Sequence, residues 1–149
     1  HAYGAPLDPL TLQVIDELGF GDVMLAHGRL EKDSATGQSG RERVIEKMQK
    51  ADVLILLHGS GEERAEYIPS KFYDYLWAAR PIWGITHRNP QLDQMLSDRN
   101  AYLSVSSDEA SLTLTLERIW LDWQQKNINQ VRGNPIGVDQ AVQKILESI

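Results

Sequence analysis

Hydrophobic residues at helical spacing alternate with short, continuous apolar runs along this chain. The runs predict four strands, over residues 22–27, 53–57, 81–86 and 101–105. Between and around these strands, helices are predicted over residues 8–18, 41–51, 69–79, 90–97 and 137–149. A further, long helix is predicted after residue 106. The strand over 53–57 is apolar without alternation, which predicts cover on both of its faces and therefore a parallel sheet. The chain is thus assigned to the α/β class, with a parallel sheet.

Polar residues mark several of the predicted helix starts. Asp8 followed by Pro9 is typical of an N-cap with proline at the first helical position. Ser106 and Glu109 have the spacing of a capping box, which predicts that the long helix starts there.

Composition and charge narrow the possible functions. The 149 residues contain 15 basic and 21 acidic side chains, a net charge of −6. This balance argues against a nucleic-acid partner or a basic membrane patch, both of which need clustered Lys and Arg. The absence of cysteine excludes disulfides and thiolate metal sites. Since no apolar run reaches the roughly 18 residues of a spanning helix and no signal peptide is visible, we expect a cytoplasmic protein without a transmembrane segment.

The candidate chemistry lies where the strand over 53–57 ends. Ligands of open α/β sheets bind at the carboxyl ends of the strands, and the loop 58–68 occupies such an end. The next helix starts with Pro69, Ser70 and Lys71, where backbone N–H groups and partial positive charge favour a phosphate. Lys71 would add a full charge. The segment therefore predicts an anion site.

Two acids flank this helix start, with seven residues between Glu66 and Asp74. Phe72, Leu76 and Ala79 form the predicted buried stripe of the helix, and Asp74 falls off that stripe, so it can face a cleft. Carboxylates accept hydrogen bonds from paired hydroxyls such as those of ribose or a hexose. The alternative is a solvated loop followed by a surface Asp74 that pairs with Lys71.

The segments 51–57 and 66–82, with Glu66, Asp74 and the turn Ala79-Arg80-Pro81, resemble the donor-binding half of GT-B fold glycosyltransferases of the group-1 family. The resemblance covers about residues 4–125 and implies a Rossmann-like half-domain. It also implies that Glu66 is the catalytic residue, whose carboxylate holds the donor-sugar hydroxyls, while Asp74 holds the ribose. Asp74 stands where the family more often has glutamate.

The resemblance assigns further donor-binding residues. Gly28-Arg29-Leu30 is similar to the family's turn that contacts the base, and the helix start at Ser70 and Lys71 would hold the phosphates. His58 is interpreted as a hydrogen-bonding neighbour of the sugar. Ser60 either touches phosphate or only turns the chain.

The family's architecture implies partners for this chain. Its donor is a UDP- or GDP-sugar, with no further cofactor, and its acceptor is held by an N-terminal domain. Neither that domain nor the family's leading Gly-turn strand and basic pair is found here, so we interpret the chain as a C-terminal fragment. We divide it into a partial nucleotide-sugar-binding domain over 1–126, and a linker with a C-terminal amphipathic helix over 127–149.

Other functions remain open from the sequence. A non-catalytic nucleotide-sugar-binding or interaction module of the same fold would share these patterns. His27, His58 and His87 each follow a predicted strand and could meet at one sheet edge, but we predict no metal site because three separate loops would need a specific geometry. A receiver-like signalling domain is disfavoured because Asp52 starts its strand rather than ending it.

Overall fold

The computed structural model describes residues 1–59, 67–131, 143, 146 and 147. The chain forms two compact units, His1–Lys47 and Met48–Ile149, which are described separately below. The predicted linker and final helix over 127–149 lie largely outside the described residues, and the predicted boundary at residue 126 stays a prediction.

The first unit contains a helix α1 whose start agrees with the sequence. α1 spans Pro9–Glu17, and its N-cap Asp8 accepts a hydrogen bond from the Thr11 backbone N–H at 3.0 Å. Hydrogen bonds from the Thr11 hydroxyl and backbone lower the pKa of Asp8. The carboxylate is thereby held charged beside the positive end of the helix.

The second helix, α2, spans Gly40–Lys50 and starts with a reciprocal cap that the sequence analysis missed. Ser39 N–H donates to Glu42 Oε2 at 2.7 Å, and Glu42 N–H donates to Ser39 Oγ at 3.2 Å. This is a capping box, with Ser and Glu three residues apart. Ser39 and Glu42 therefore determine where α2 starts.

The predicted buried strand over 22–27 is wrong. This segment makes only an isolated parallel bridge, between Ala26 and Ala2, and Val23 is 76% exposed. Hydrogen bonds from Val23 and Met24 N–H to the Phe20 carbonyl coil the segment into a turn instead. An apolar run becomes a strand only where a neighbouring strand pairs along it, and Ala2 offers a single point of pairing.

The second unit is built on a three-stranded parallel sheet. Its strands, in the order β1-β2-β3, are β1 Leu54–Leu57, β2 Ile82–Thr86 and β3 Tyr102–Val105. The helices described within this unit are α3 Ser70–Ala78, α4 Pro90–Asp98 and α5 Glu109–Gln124. The predicted α/β class and parallel sheet are confirmed, in an arrangement consistent with a Rossmann-like half-domain. Across the described ranges, no helix is both long and apolar enough to cross a membrane.

Two hydrophobic clusters hold this unit together, one on each face of the sheet. α3 and α4 cover one face through a cluster formed by Leu56, Phe72, Leu76, Ile82, Leu92 and Leu96. α5 covers part of the other face through Ile119, which packs with Trp83 and Tyr102. Because neighbours along a strand point to opposite faces, Ile82 and Trp83 of β2 belong to different clusters.

Strand β1 is covered on one face only, which contradicts the predicted cover on both. Leu54 and Leu56 are 8% and 1% exposed, whereas Ile55 and Leu57 are 49% and 71% exposed. The reason is that α5 follows β3 and packs over β2 and β3, so it leaves the second face of β1 open. An unbroken apolar run does not distinguish these two situations.

Strand β2 carries a glycine where α4 approaches the sheet. A Cβ atom on Gly84 would lie 2.5 Å from Leu96 Cδ1 and 3.3 Å from Leu103 Cδ2. Both distances are shorter than the roughly 3.5–4.0 Å preferred between carbon atoms. Gly84 therefore lets Leu96 pack directly against the backbone of β2.

Two predicted helix ends need correction. Ala79, predicted to lie on the buried stripe of α3, is exposed and ends the helix as a left-handed C-cap with φ of 52°. Ala78 is the buried residue in its place. The predicted cap Ser106 is also wrong, since α5 is capped by Asp108, whose carboxylate accepts from Ser111 N–H at 3.1 Å.

Candidate functional site

Helices α3, α4 and α5 of the second unit all start at the carboxyl edge of the sheet, because each follows a parallel strand. The starts of α4 and α5 are capped by the side chains of Asn89 and Asp108. The N-cap of α3 is Pro69, whose side chain makes no capping hydrogen bond. Among the described helices at this edge, α3 is therefore the one whose N-cap residue makes no capping hydrogen bond with its side chain.

The first turn of α3 faces outward. Ser70 and Lys71 are exposed, and Phe72 N–H donates to the Pro69 carbonyl at 2.9 Å. A helix start of this kind carries partial positive charge, which Lys71 supplements. Asp74 lies one turn further along and is half-buried. The predicted stripe is confirmed at Phe72 and Leu76, which are 1% and 2% exposed.

His58 lies at the end of β1, as predicted, but it is buried rather than open to a cleft. Its backbone N–H donates to the Ile85 carbonyl at 2.9 Å, which extends the pairing with β2. The side chain is 5% exposed, and its Nε2 lies 3.3 Å from Asn89 Nδ2. Within the described part of the chain, Nδ1 is buried without a hydrogen-bond partner.

Asn89 is the residue at this edge that the sequence analysis missed. It is 0% exposed, its Oδ1 accepts from Leu92 N–H at 2.9 Å, and its Nδ2 donates to the Tyr67 carbonyl at 2.9 Å. Asn89 thus connects the start of α4 with the segment that enters α3. An Asn followed by Pro has the same pattern as Asp8-Pro9, and it would have identified the cap but not the other bonds.

Tyr75, which follows Asp74 on α3, connects this helix to strand β1. Its hydroxyl donates to the Ile55 carbonyl of β1 at 3.3 Å. Burial, and secondarily the negative charge of Asp74, raises the pKa of Tyr75. Tyr75 therefore ties α3 to the strand from which the site is built.

The predicted base-binding turn belongs to the first unit. Gly28 has φ of 68°, a left-handed conformation that favours glycine, and its carbonyl accepts from Gly4 N–H at 2.9 Å. Arg29 and Leu30 line an open groove of about 510 Å³ beside the start of α2. A Cβ on Gly40 would overlap the Leu30 carbonyl, so the chain is closely packed there.

The predicted site residues therefore fall into three groups. His58, Ser70, Lys71 and Asp74 belong to the second unit, and Gly28, Arg29 and Leu30 belong to the first. Glu66, the predicted catalytic residue, and Ser60 lie outside the described residues.

The histidines that could have suggested a metal do not form a cluster. His27 belongs to the first unit, where its ring stacks on Tyr3 with a centroid separation of 4.6 Å and lies near His1. His87 follows β2, and its Nδ1 is buried without a partner among the described residues. In those same ranges, no three His, Asp or Glu side chains are placed to hold a metal ion.

Comparison with known proteins adds no relative. No protein-family model, no curated protein and no solved structure matches this chain. The family resemblance therefore depends on the motif residues alone, and the site assignments stay predictions.

Proposed function

We propose that this chain is the donor-binding half of a glycosyltransferase and binds a UDP- or GDP-sugar at the carboxyl edge of its parallel sheet. The observation that carries the proposal is the start of α3. There, Pro69 supplies no side-chain cap, and the exposed Ser70 and Lys71 follow. A phosphate would accept hydrogen bonds from the backbone amides of this turn and would be favoured by its partial positive charge.

The proposed roles follow from the charges at this edge. Lys71 and the start of α3 hold the donor diphosphate, and Asp74 accepts hydrogen bonds from the ribose hydroxyls. When the bond to the sugar breaks, the leaving diphosphate gains negative charge. Fixed dipoles and a lysine placed at this point stabilise that charge more in the transition state than in the ground state.

Binding is tested by thermal unfolding with UDP-glucose or GDP-mannose. A ligand that binds only the folded protein stabilises it by about 2.7 kcal/mol when its concentration is 100 times Kd. We expect one of the two to raise Tm, and we expect Lys71→Ala to weaken that ligand about tenfold, as for one charge-assisted contact. Lys47→Ala is the matched control, because Lys47 is an exposed lysine on α2 in the other unit.

Catalysis is tested in a protein that joins this chain to an acceptor-binding domain. Asp74→Ala and Glu66→Ala are each expected to reduce turnover sharply while the circular dichroism spectrum is retained. Wild-type turnover in both variants would refute the assigned roles. Binding of the donor without any transfer would instead favour a non-catalytic nucleotide-sugar-binding module.

A further inference from the structure

Asn89 connects three segments that meet at the carboxyl edge of the sheet. Its side chain contacts His58 at the end of β1, the carbonyl of Tyr67 before α3, and the N–H of Leu92 in α4. All of these contacts involve one fully buried amide. A helix cap needs only the contact with Leu92, so the other two call for a separate explanation.

The contact with Leu92 determines how the Asn89 amide is oriented. The backbone N–H of Leu92 is a donor, so the atom 2.9 Å from it must be the amide oxygen. The amide nitrogen is then the atom near Tyr67 and His58, and it can only donate. An amide flip would place donors against donors at Leu92 and would leave the Tyr67 carbonyl without its hydrogen bond.

This orientation in turn selects one tautomer of the His58 ring. Because Asn89 Nδ2 donates, His58 Nε2 at 3.3 Å must be the acceptor. A neutral imidazole carries one proton, which is then on Nδ1. The Nδ1 side of the ring is therefore a buried hydrogen-bond donor without a partner among the described residues.

We infer that Asn89 is a positioning residue for the site at the start of α3: it holds His58 as the Nδ1–H tautomer and fixes the segment that enters the helix through Tyr67. The link to ligand binding rests on the proposed function, whereas the tautomer does not. Loss of the Asn89 donor should therefore move the ring proton of His58 and release the carbonyl of Tyr67 before α3. Any residue with a suitable acceptor would still cap α4.

The substitution Asn89→Asp separates these effects. Aspartate retains an acceptor for Leu92 N–H, but it cannot donate to His58 or to the Tyr67 carbonyl. Its second oxygen favours a proton on His58 Nε2. Asp108→Asn is the matched control, because it changes the N-cap of α5 at the same edge in the opposite chemical sense.

The tautomer is measured by long-range ¹H–¹⁵N NMR of histidine-labelled chain at about pH 9, above the usual titration range of histidine. We expect the Nδ1–H form for His58 in the wild type and in Asp108→Asn, and the Nε2–H form in Asn89→Asp. The Ser70 and Lys71 amide resonances should shift in Asn89→Asp alone. An Nε2–H ring in the wild type, or an unchanged ring in Asn89→Asp, would overturn the inference. Asn89→Gly, which is tolerated at an N-cap and carries no side-chain donor, replaces Asn89→Asp if that variant does not fold, and it should lose the preference for the Nδ1–H form.

The same samples are titrated with UDP-glucose and GDP-mannose. Asn89→Asp should weaken whichever donor binds by about fivefold to tenfold, as expected for one misplaced hydrogen bond. Equal affinity in the wild type and Asn89→Asp would refute the role of Asn89 at the ligand site. If neither donor binds the wild type, the proposed function fails together with that role, and the NMR result still decides whether Asn89 sets the tautomer.

Discussion

Replacing Gly84 with alanine would insert a methyl group between β2 and α4. The added Cβ would lie 2.5 Å from Leu96 Cδ1, about 1 Å closer than carbon atoms prefer, with Leu103 Cδ2 at 3.3 Å. Leu96 is 0% exposed, so its side chain has little room to retreat. Overpacking of this kind costs about 1–3 kcal/mol.

The assay is equilibrium unfolding followed by tryptophan emission. All four tryptophans of the sequence, the buried Trp83 among them, belong to the second unit. A loss of about 2 kcal/mol in the free energy of unfolding corresponds to a fall in Tm of roughly 8–16 °C for a domain of about 100 residues. Gly21→Ala, followed by circular dichroism, is the control, since its added Cβ meets no atom within 4 Å and its backbone has no positive φ.

A second substitution tests whether Leu96 is the cause. Leu96→Val removes both δ carbons and should cost about 1 kcal/mol by itself. In the double variant the methyl group introduced at position 84 would occupy the space that they vacate, so we expect the double variant to be more stable than Gly84→Ala alone. A neutral Gly84→Ala, or additive costs in the double variant, would refute the close approach of α4 to β2.

Three further predictions follow from individual hydrogen bonds. Tyr75→Phe should lose about 0.5–1 kcal/mol of stability. Because burial raises the folded pKa of Tyr75 above 10.0, the wild type should also lose stability as pH rises from there, and urea midpoints should show a smaller loss in the variant. Ser104→Ala should lower the free energy of unfolding by about 1–3 kcal/mol in a denaturant titration. The reason is that Trp83 Nε1–H donates to Ser104 Oγ at 2.9 Å and would be left buried without an acceptor. An unchanged denaturation midpoint would contradict this. Because the pKa of Asp8 is lowered, the charged Asp8 cap stabilises α1 above pH 3.8, and this stabilisation is lost as pH falls through the folded pKa. Asp8→Asn should therefore flatten the acid transition seen by circular dichroism. An identical transition in the variant would exclude the cap as its source.

The sheet of the second unit was predictable because its strands are short apolar runs bounded by turn residues. The predicted 53–57, 81–86 and 101–105 each exceed the observed strand by one residue, at the N-terminal end. The segment over 22–27 gives the same local pattern, yet pairing with distant residues decides whether a strand forms, and one sequence does not contain that information.

The candidate site was predictable in part for a similar reason. The start of α3 is a local feature, and Pro69-Ser70-Lys71 identifies it. The burial of His58 and the bonds of Asn89 depend on how β1, α3 and α4 meet. The nearest sequence signal was the pair Asn89-Pro90, which indicates a cap and nothing about histidine. Glu66 lies outside the described residues, so its predicted role is unaffected.

The outer side of β1 has a consequence for solubility. In the described part of the chain β1 pairs only with β2, so the peptide groups of Ile55 point away from the paired strand, beside the exposed side chains of Ile55 and Leu57. Unpaired sheet edges recruit foreign strands and promote aggregation. The Tyr75 hydroxyl already occupies the Ile55 carbonyl, so an incoming strand must first break that bond. We expect this bond to hinder edge-to-edge association, so Tyr75→Phe should aggregate at lower protein concentration than the wild type.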